Sequence, residues 1–144
     1  MDIAELMTPN PACCTPDTPI QEVARLMREN DCGEIPVVES GDAGALVGVV
    51  TDRDIVVRLI AQGQDIGRAT VAACMTTPAV SLRRDAQVSD AIEMMQAHQV
   101  RRLPIVDEQG VVRGIVSQAD LARSASAEQT GDLVRDVSEP TRPQ

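Results

Sequence analysis

The chain carries two related octapeptides, GVVTDRDI at residues 48–55 and GIVSQADL at residues 114–121. Each consists of a glycine, two β-branched residues, a hydroxyl residue, and an acid three positions after the hydroxyl. β-Branched residues favour strands, and a Ser or Thr followed three residues later by an acid is typical of a helix N-terminus. The pattern therefore predicts, twice, a strand that runs directly into a helix.

The two octapeptides belong to an internal duplication that covers most of the chain. A shift of 68 residues places Pro36 on Pro104 and the Met-Thr pair at residues 7–8 on the pair at residues 75–76. After the Gly-rich loop at residues 39–44 the shift becomes 66, because a loop tolerates a change of length. We assign residues 1–68 to repeat 1, residues 69–123 to repeat 2 and residues 124–144 to a polar C-terminal tail.

Local patterns predict the same elements in both repeats. Apolar residues at helical spacing predict helices that begin near Ile20 and Val88, and Thr18 with Pro19 predicts a capping box with proline at the first helical position. A second helix is expected to open at the hydroxyl residue of each octapeptide, ending near Gly63 in repeat 1. Short β-branched runs predict strands at residues 12–15, 35–38, 45–50, 79–82, 103–106 and 111–116.

Each repeat is thus predicted to have the order β-α-β-β-α, which places the chain in the α+β class with mixed α/β character. Neither repeat has enough apolar residues to form a core alone, so we expect the two to pack sheet against sheet about a pseudo-twofold axis. That packing leaves two symmetry-related clefts, which are the candidate binding sites.

Composition excludes several classes of function. The 144 residues carry a net charge of -9 and no Phe, Tyr or Trp, so phosphate backbones repel the chain and no aromatic side chain can stack on a base. We therefore expect no nucleic-acid partner. No apolar run reaches the length of a membrane span, and the N-terminus lacks the pattern of a secretion signal. We expect no membrane partner and a cytoplasmic location.

The remaining reactive residues give weak signals. The four cysteines, Cys13, Cys14, Cys32 and Cys74, follow no metal-binding spacing, and we interpret them as small buried apolar residues. A disulfide between Cys32 and Cys13 or Cys14 is the alternative. With His98 as the only histidine we expect no metal site, and without a nucleophile elbow we expect no catalytic residues and no enzyme activity.

The octapeptides themselves allow two interpretations. In the first, each hydroxyl and acid only cap a helix. In the second, the helix N-terminus and the hydroxyl of Thr51 or Ser117 bind a phosphate, while Asp54 or Asp120 accepts hydrogen bonds from two vicinal ribose hydroxyls. Apolar strand residues beside them would enclose a purine. Two copies at matched positions favour the second interpretation.

The duplicated pattern resembles the ribose-phosphate signature of CBS domains. The Met-Thr pairs, Pro36, Pro104 and the run HQVRRLP at residues 98–104 are similar to the family as well, and the resemblance covers residues 2–123. It implies a small stand-alone bacterial CBS pair, or Bateman module, that is regulatory and binds an adenine-containing ligand such as AMP, ADP, ATP, NAD or S-adenosylmethionine. It also implies association into a homodimer, without any required cofactor.

The resemblance assigns site residues to each cleft. Because the family often places a basic residue of one repeat against the phosphate held by the other, Arg102 is expected to serve the Thr51 cleft, whereas Glu34 would repel phosphate from the Ser117 cleft. We therefore expect one good site and one weak or empty site per chain. The main cleft comprises Thr51, Asp54, Arg53, Arg101, Arg102, Ile35 and Pro36, and the second comprises Ser117, Asp120, Leu103 and Pro104.

With no effector domain in the sequence, a ligand-dependent rearrangement of the repeats or of the dimer would have to be sensed by a separate, unknown effector protein. The alternative function is a ligand-free protein-interaction module, switched by oxidation of Cys13, Cys14 or Cys32. In the C-terminal tail, Leu133, Val134 and Val137 could form a short apolar stripe that docks on the core or on a partner.

Overall fold

The computed structural model describes residues 2–40 and 44–124. The predicted tail, with its apolar stripe, lies outside the described residues. The strands are β1 (Thr8–Pro9), β2 (Glu34–Val38), β3 (Leu46–Thr51), β4 (Leu82–Arg83), β5 (Arg102–Val106) and β6 (Val112–Ser117). The helices are α1 (Ile20–Glu29), α2 (Asp52–Asp54), which continues as a π-helix over Ile55–Ile60, α3 (Val88–His98) and α4 (Gln118–Ala122), with 3-10 turns at Ile3–Glu5 and Val71–Ala73.

Among the described residues, one compact unit consists of residues 2–9, 80–106 and 113–124. Its sheet has the strand order β1-β6-β5-β4, with β1 antiparallel to β6 and β4 parallel to β5. The apolar face of α3 covers this sheet and closes a core of buried side chains. The core residues are Ile3, Ala91, Ile92, Met95, Leu103, Ile105, Val116 and Leu121.

The second unit consists of the described residues in Asn10–Ala79 and of Asp107–Val112. Here β2 and β3 form an antiparallel pair in which Glu34 faces Thr51 and Pro36 faces Val49, and Cys14 adds a parallel bridge to Val37. The helix α1 buries its apolar face against this sheet. The core residues are Cys14, Ile20, Val23, Met27, Ile35, Val37, Val50, Ile55, Leu59, Val71 and Cys74.

The start of each repeat pairs with the second long strand of the other repeat. Thr8 in β1 is the register partner of Ile115 in β6, and Thr76 forms an antiparallel bridge with Val49 in β3. For this reason the compact units do not coincide with the repeats at residues 1–68 and 69–123. The start of repeat 1, up to Pro9, lies in the unit of β5 and β6, and residues 69–79 and 107–112 of repeat 2 lie in the unit of β2 and β3. The boundaries of those repeats, and their packing about a pseudo-twofold axis, stay predictions.

The predicted fold class, the helices α1 and α3 and the four longer strands are confirmed. The predicted cap of α1 is wrong: Pro19 is the N-cap without a side-chain bond, and the hydroxyl of Thr18 accepts from the amide of Thr15 instead. The short strands also differ from prediction, since Cys14 forms only an isolated bridge and β4 begins at Leu82. Within the described residues, no helix is both long and apolar enough for a membrane span.

Candidate functional site

Thr51 ends β3 and caps the helix that follows. Its hydroxyl oxygen accepts from the amide of Asp54 at 3.0 Å, and the amide of Thr51 donates to Oδ2 of Asp54 at 3.0 Å. This capping box buries Asp54, which is only 9% exposed. A threonine hydroxyl has one proton besides its acceptor sites, so the cap leaves Thr51 able to donate to a further group.

The second octapeptide has the same geometry. The amide of Ser117 donates to Oδ2 of Asp120 at 2.9 Å, and the amide of Asp120 donates to the hydroxyl of Ser117 at 3.2 Å. The guanidinium of Arg123, one turn further along, pairs with the Asp120 carboxylate. Both motifs therefore cap their helices, and the caps place a hydroxyl and a carboxylate side by side in each.

The environment of Asp54 includes two residues that the sequence analysis did not identify. The hydroxyl of Thr76 lies 3.4 Å from each carboxylate oxygen of Asp54, and Nε of Arg58 lies 3.8 Å from Oδ1. Nη1 of Arg58 also donates to the carbonyls of Cys74 and Met75 at 3.3 and 3.2 Å. The i,i+4 spacing of Asp54 and Arg58 was a signal in the sequence, whereas no spacing pointed to Thr76.

A backbone bond holds each helix start against the residue that precedes the first long strand of its own repeat, β2 or β5. The amide of Asp52 donates to the carbonyl of Gly33, and at the matched place the amide of Gln118 donates to the carbonyl of Arg101. A Cβ at Gly33 would lie 2.9 Å from a carboxylate oxygen of Asp52, an exposed side chain that could move aside. The symmetry of the two motifs thus extends to the bond that the first helical amide makes with the residue before the neighbouring strand.

The remaining predicted site residues divide between the two units. Ile35 and Leu103 are buried in the two cores, and Pro36 and Pro104 are buried beside them. The arginines lie nearer the surface: Arg53 and Arg101 are exposed, and Arg102 is half-buried at the start of β5. Thr51, Asp54, Ile35, Pro36 and Arg53 share one unit, and Ser117, Asp120, Leu103, Pro104, Arg101 and Arg102 share the other. The assignment of Arg101 and Arg102 to the Thr51 site stays a prediction.

The glycine of each octapeptide is explained by packing. A Cβ at Gly48 would lie 2.6 Å from the carbonyl oxygen of Thr76, because the start of repeat 2 runs against β3 at this point. A Cβ at Gly114 would collide with the side chain of Met7, at the start of repeat 1. The glycines therefore permit the exchanged pairing of the repeats, independently of any ligand.

The cysteines are all free thiols in this structure. The thiols of Cys13 and Cys32 donate to the carbonyls of Pro11 and Glu34, and Cys14 and Cys74 are buried. Burial raises the pKa of Cys13, and it raises the pKa of Cys14 to about 12, with smaller contributions from neighbouring charges. Because the thiolate is the reactive form, these shifts oppose oxidation of Cys13 and Cys14 near neutral pH.

The described residues offer no metal centre. Over residues 2–40 and 44–124, no three or more His, Cys, Asp and Glu side chains come together in an arrangement able to hold a metal ion. His98 is exposed at the last turn of α3.

Known proteins are similar to this chain in sequence and in fold. The sequence model of the CBS domain family matches residues 3–61 and 71–127. The CBS domain-containing protein YhcV of Bacillus subtilis is 42% identical over 137 residues, which cover 94% of this chain and 94% of YhcV.

Two solved structures are also similar. The crystal structure of Hypoxic Response Protein I with two coordinated zinc ions is 31% identical with a TM-score of 0.78, and the match covers 88% of this chain and 100% of that one. The structure of CBSX2 in complex with AMP is 28% identical with a TM-score of 0.73, and the match covers 86% of this chain and 95% of that one. These matches confirm the resemblance found in the sequence: the chain belongs to the CBS domain family and is a CBS-pair regulatory module.

Proposed function

We propose that the chain binds an adenine nucleotide at Thr51 and Asp54 and that this ligand regulates a partner protein. The capping box of Thr51 and Asp54 carries the proposal, because it places a hydroxyl with an available proton beside a buried carboxylate at the start of a helix. CBSX2, whose solved structure contains AMP, supports the choice of ligand class.

Each group has a role that its chemistry suits. The hydroxyl of Thr51 donates to a phosphate oxygen, and the partial positive charge at the helix N-terminus stabilises the same phosphate. Asp54 uses Oδ2 in the cap, and its remaining lone pairs accept from the vicinal ribose hydroxyls. Arg102 and Arg101 supply positive charge to the phosphate, and Arg53 adds to it.

The motif of Ser117 and Asp120 is proposed as the weaker site. Its carboxylate pairs with Arg123 at 2.5 Å, closer than the 3.8 Å between Arg58 and Asp54, so a ribose would compete there with a tighter ion pair. Glu34, if it faces this site as the family pattern implies, would repel a phosphate there. We therefore expect about one ligand per chain at low concentration, with the second site filling only at higher concentration.

The experiment that tests this function is isothermal titration of the reduced chain with AMP, ATP, NAD and S-adenosylmethionine. Heat is the suitable signal, because the chain has no Trp or Tyr whose fluorescence would report binding. Saturable binding near one ligand per chain supports the proposal and ranks the ligands. No heat from any of the four at two temperatures supports the alternative, a protein-interaction module whose motifs serve only as helix caps.

The proposal includes a homodimer, as the family resemblance implies, and an effector protein that senses the ligand-bound arrangement. Among the described residues, the π-helix exposes three large aliphatic side chains, Val56, Val57 and Ile60, with Val56 and Ile60 more than half exposed. Exposed apolar groups of this size support association through the helix. Sedimentation of the wild-type chain and of Ile60→Lys tests it: loss of a dimer in the variant supports the surface, and a wild-type monomer contradicts the homodimer.

A further inference from the structure

The carboxylate of Asp54 is linked to the segment that begins the second repeat. Thr76, 22 residues further along the chain, places its hydroxyl 3.4 Å from both Oδ1 and Oδ2 of Asp54. A hydroxyl has a single proton to donate, so this proton is shared between the two oxygens. The position equidistant from both oxygens is also the one that two adjacent hydroxyls of a ligand need when they bind a carboxylate together.

The segment that carries Thr76 is held in place on both sides. The amide of Thr76 donates to the carbonyl of Val49 at 2.8 Å, and the amide of Val49 donates to the carbonyl of Thr76 at 3.0 Å. Arg58 donates to the carbonyls of Cys74 and Met75, and its Nε lies 3.8 Å from Oδ1 of Asp54. Asp54 is therefore connected to this segment directly through a hydroxyl and indirectly through a guanidinium.

The matched site is built differently. Asp120 pairs with Arg123, which belongs to the same helix turn, and Thr8, which matches Thr76, is exposed. A ligand at Asp120 would compete with Arg123 of the same helix turn, which pairs closely with the carboxylate, whereas a ligand at Asp54 would compete with the more distant Arg58 of its own helix, 3.8 Å away, and with Thr76 of the other repeat. This difference is separate from the charge difference between Glu34 and Arg102.

We infer that Thr76 regulates the Asp54 site: its hydroxyl occupies the position of the ribose diol, and a bound nucleotide must displace it. The inference rests on the proposed nucleotide-binding function. Displacement breaks the direct link from Asp54 to Cys74–Thr76, so that occupancy of the site is transmitted to the segment where the second repeat begins. Conversely, whatever holds Thr76 on Asp54 weakens nucleotide binding, since the coupling between two equilibria is reciprocal.

Titration of three proteins with two ligands tests the inference. The proteins are the wild-type chain, Thr76→Val, which removes the hydroxyl at nearly constant volume, and Thr76→Ser, which keeps it. The ligands are AMP and 2′,3′-dideoxy-AMP, which lacks both ribose hydroxyls. We expect Thr76→Val to bind AMP about twofold to tenfold more tightly than the wild type, the range that one modest hydrogen bond represents. Thr76→Ser should match the wild type, and the dideoxy compound should bind all three proteins equally.

Each other result has a definite meaning. Equal or weaker AMP binding by Thr76→Val overturns the inference and leaves the proposed function standing, as does equal tightening for the dideoxy compound. Binding by Thr76→Val but not by the wild type supports the inference in its strongest form. If none of the three proteins binds AMP, ATP, NAD or S-adenosylmethionine, the proposed function is overturned, and the inference with it. Thermal melts followed by circular dichroism check folding, and Thr76→Ala replaces the valine variant if that variant does not fold.

Discussion

Thr51 and Asp54 satisfy each other's backbone amides, with both hydrogen bonds at 3.0 Å. The side chains proposed to bind the ligand are therefore also the side chains that begin the helix. Removing either one costs folding free energy as well as affinity, and an N-cap of this kind contributes about 0.5–2 kcal/mol. Any binding experiment on this site therefore needs a control variant that loses an equivalent capping box at another helix.

Asp120→Ala is that control for Asp54→Ala, because both variants remove the acid of a capping box. We expect Asp54→Ala to lose most of the AMP affinity, since a carboxylate that accepts from two hydroxyls is replaced by a methyl group. Asp120→Ala should bind AMP nearly as well as the wild type at the main site. Titration calorimetry measures both, and thermal melts should show comparable loss of stability in the two.

Equal losses of affinity in the two variants would contradict the prediction of one dominant site. Retained affinity in Asp54→Ala would mean that the cap has no role in binding.

Glu34→Arg tests the predicted charge difference between the sites. Glu34 is the cross-strand partner of Thr51 in β2 and β3 and is half-buried. If its carboxylate repels phosphate from the Ser117 site, the change of two unit charges should raise the affinity of the weaker site for AMP and ATP by about tenfold or more at partial burial. The readout is the number of ligands bound per chain at a fixed ATP concentration.

Glu34→Gln serves as the intermediate control for this series. An unchanged stoichiometry in Glu34→Arg, with an intact fold, would show that Glu34 does not face the second site.

Gly48→Ala and Gly114→Ala test the packing of the exchanged segments. A Cβ at Gly48 meets the backbone carbonyl of Thr76, which is fixed by its pairing with Val49, whereas a Cβ at Gly114 meets mainly the flexible side chain of Met7. Both changes should destabilise the fold, and Gly48→Ala should cost more, about 1–3 kcal/mol, because backbone cannot move aside as a methionine can. Urea unfolding followed by circular dichroism measures the difference. If Gly114→Ala instead lowered the free energy of unfolding more than Gly48→Ala, the segment at Thr76 would adapt to the added methyl group more easily than Met7 does.

The buried thiol of Cys14 predicts how the free energy of unfolding changes with pH. The pKa of its thiol is raised by burial from the ordinary 9.0 to about 12, so the folded chain holds this proton where the unfolded chain releases it. Below pH 9 both states are protonated, and the thiol makes no difference to stability. As the pH rises above about 9 the unfolded state is favoured progressively, so the free energy of unfolding should fall.

Cys14→Ala should reduce this fall, and urea unfolding between pH 7 and pH 11 under reducing conditions measures it. Cys32→Ala is the comparison variant. If the free energy of unfolding fell equally steeply with pH in Cys14→Ala and in the wild type, the assignment of this fall to Cys14 would be wrong. Fast modification of Cys14 in the folded chain at pH 8 would contradict the raised pKa.

Local sequence patterns were sufficient for much of this fold. The apolar spacing of α1 and α3, the β-branched runs of the long strands, and the two capping boxes all depend on residues within a few positions of each other. Such patterns favour a helix or a strand whatever other parts of the chain the segment contacts. The duplication then predicted that both repeats would share one design, and the matched amide bonds at Asp52 and Gln118 agree with it.

The tertiary structure decided what surrounds those motifs. The sequence alone determined that Thr51 and Asp54 would cap a helix, because that bond spans three residues. That Thr76 lies on the Asp54 carboxylate depends on the pairing of Thr76 with Val49, a contact between distant parts of the chain that no periodicity encodes. The same pairing explains why glycine occupies position 48. Local hydrogen bonding thus defined the motif, and long-range packing defined what the motif touches.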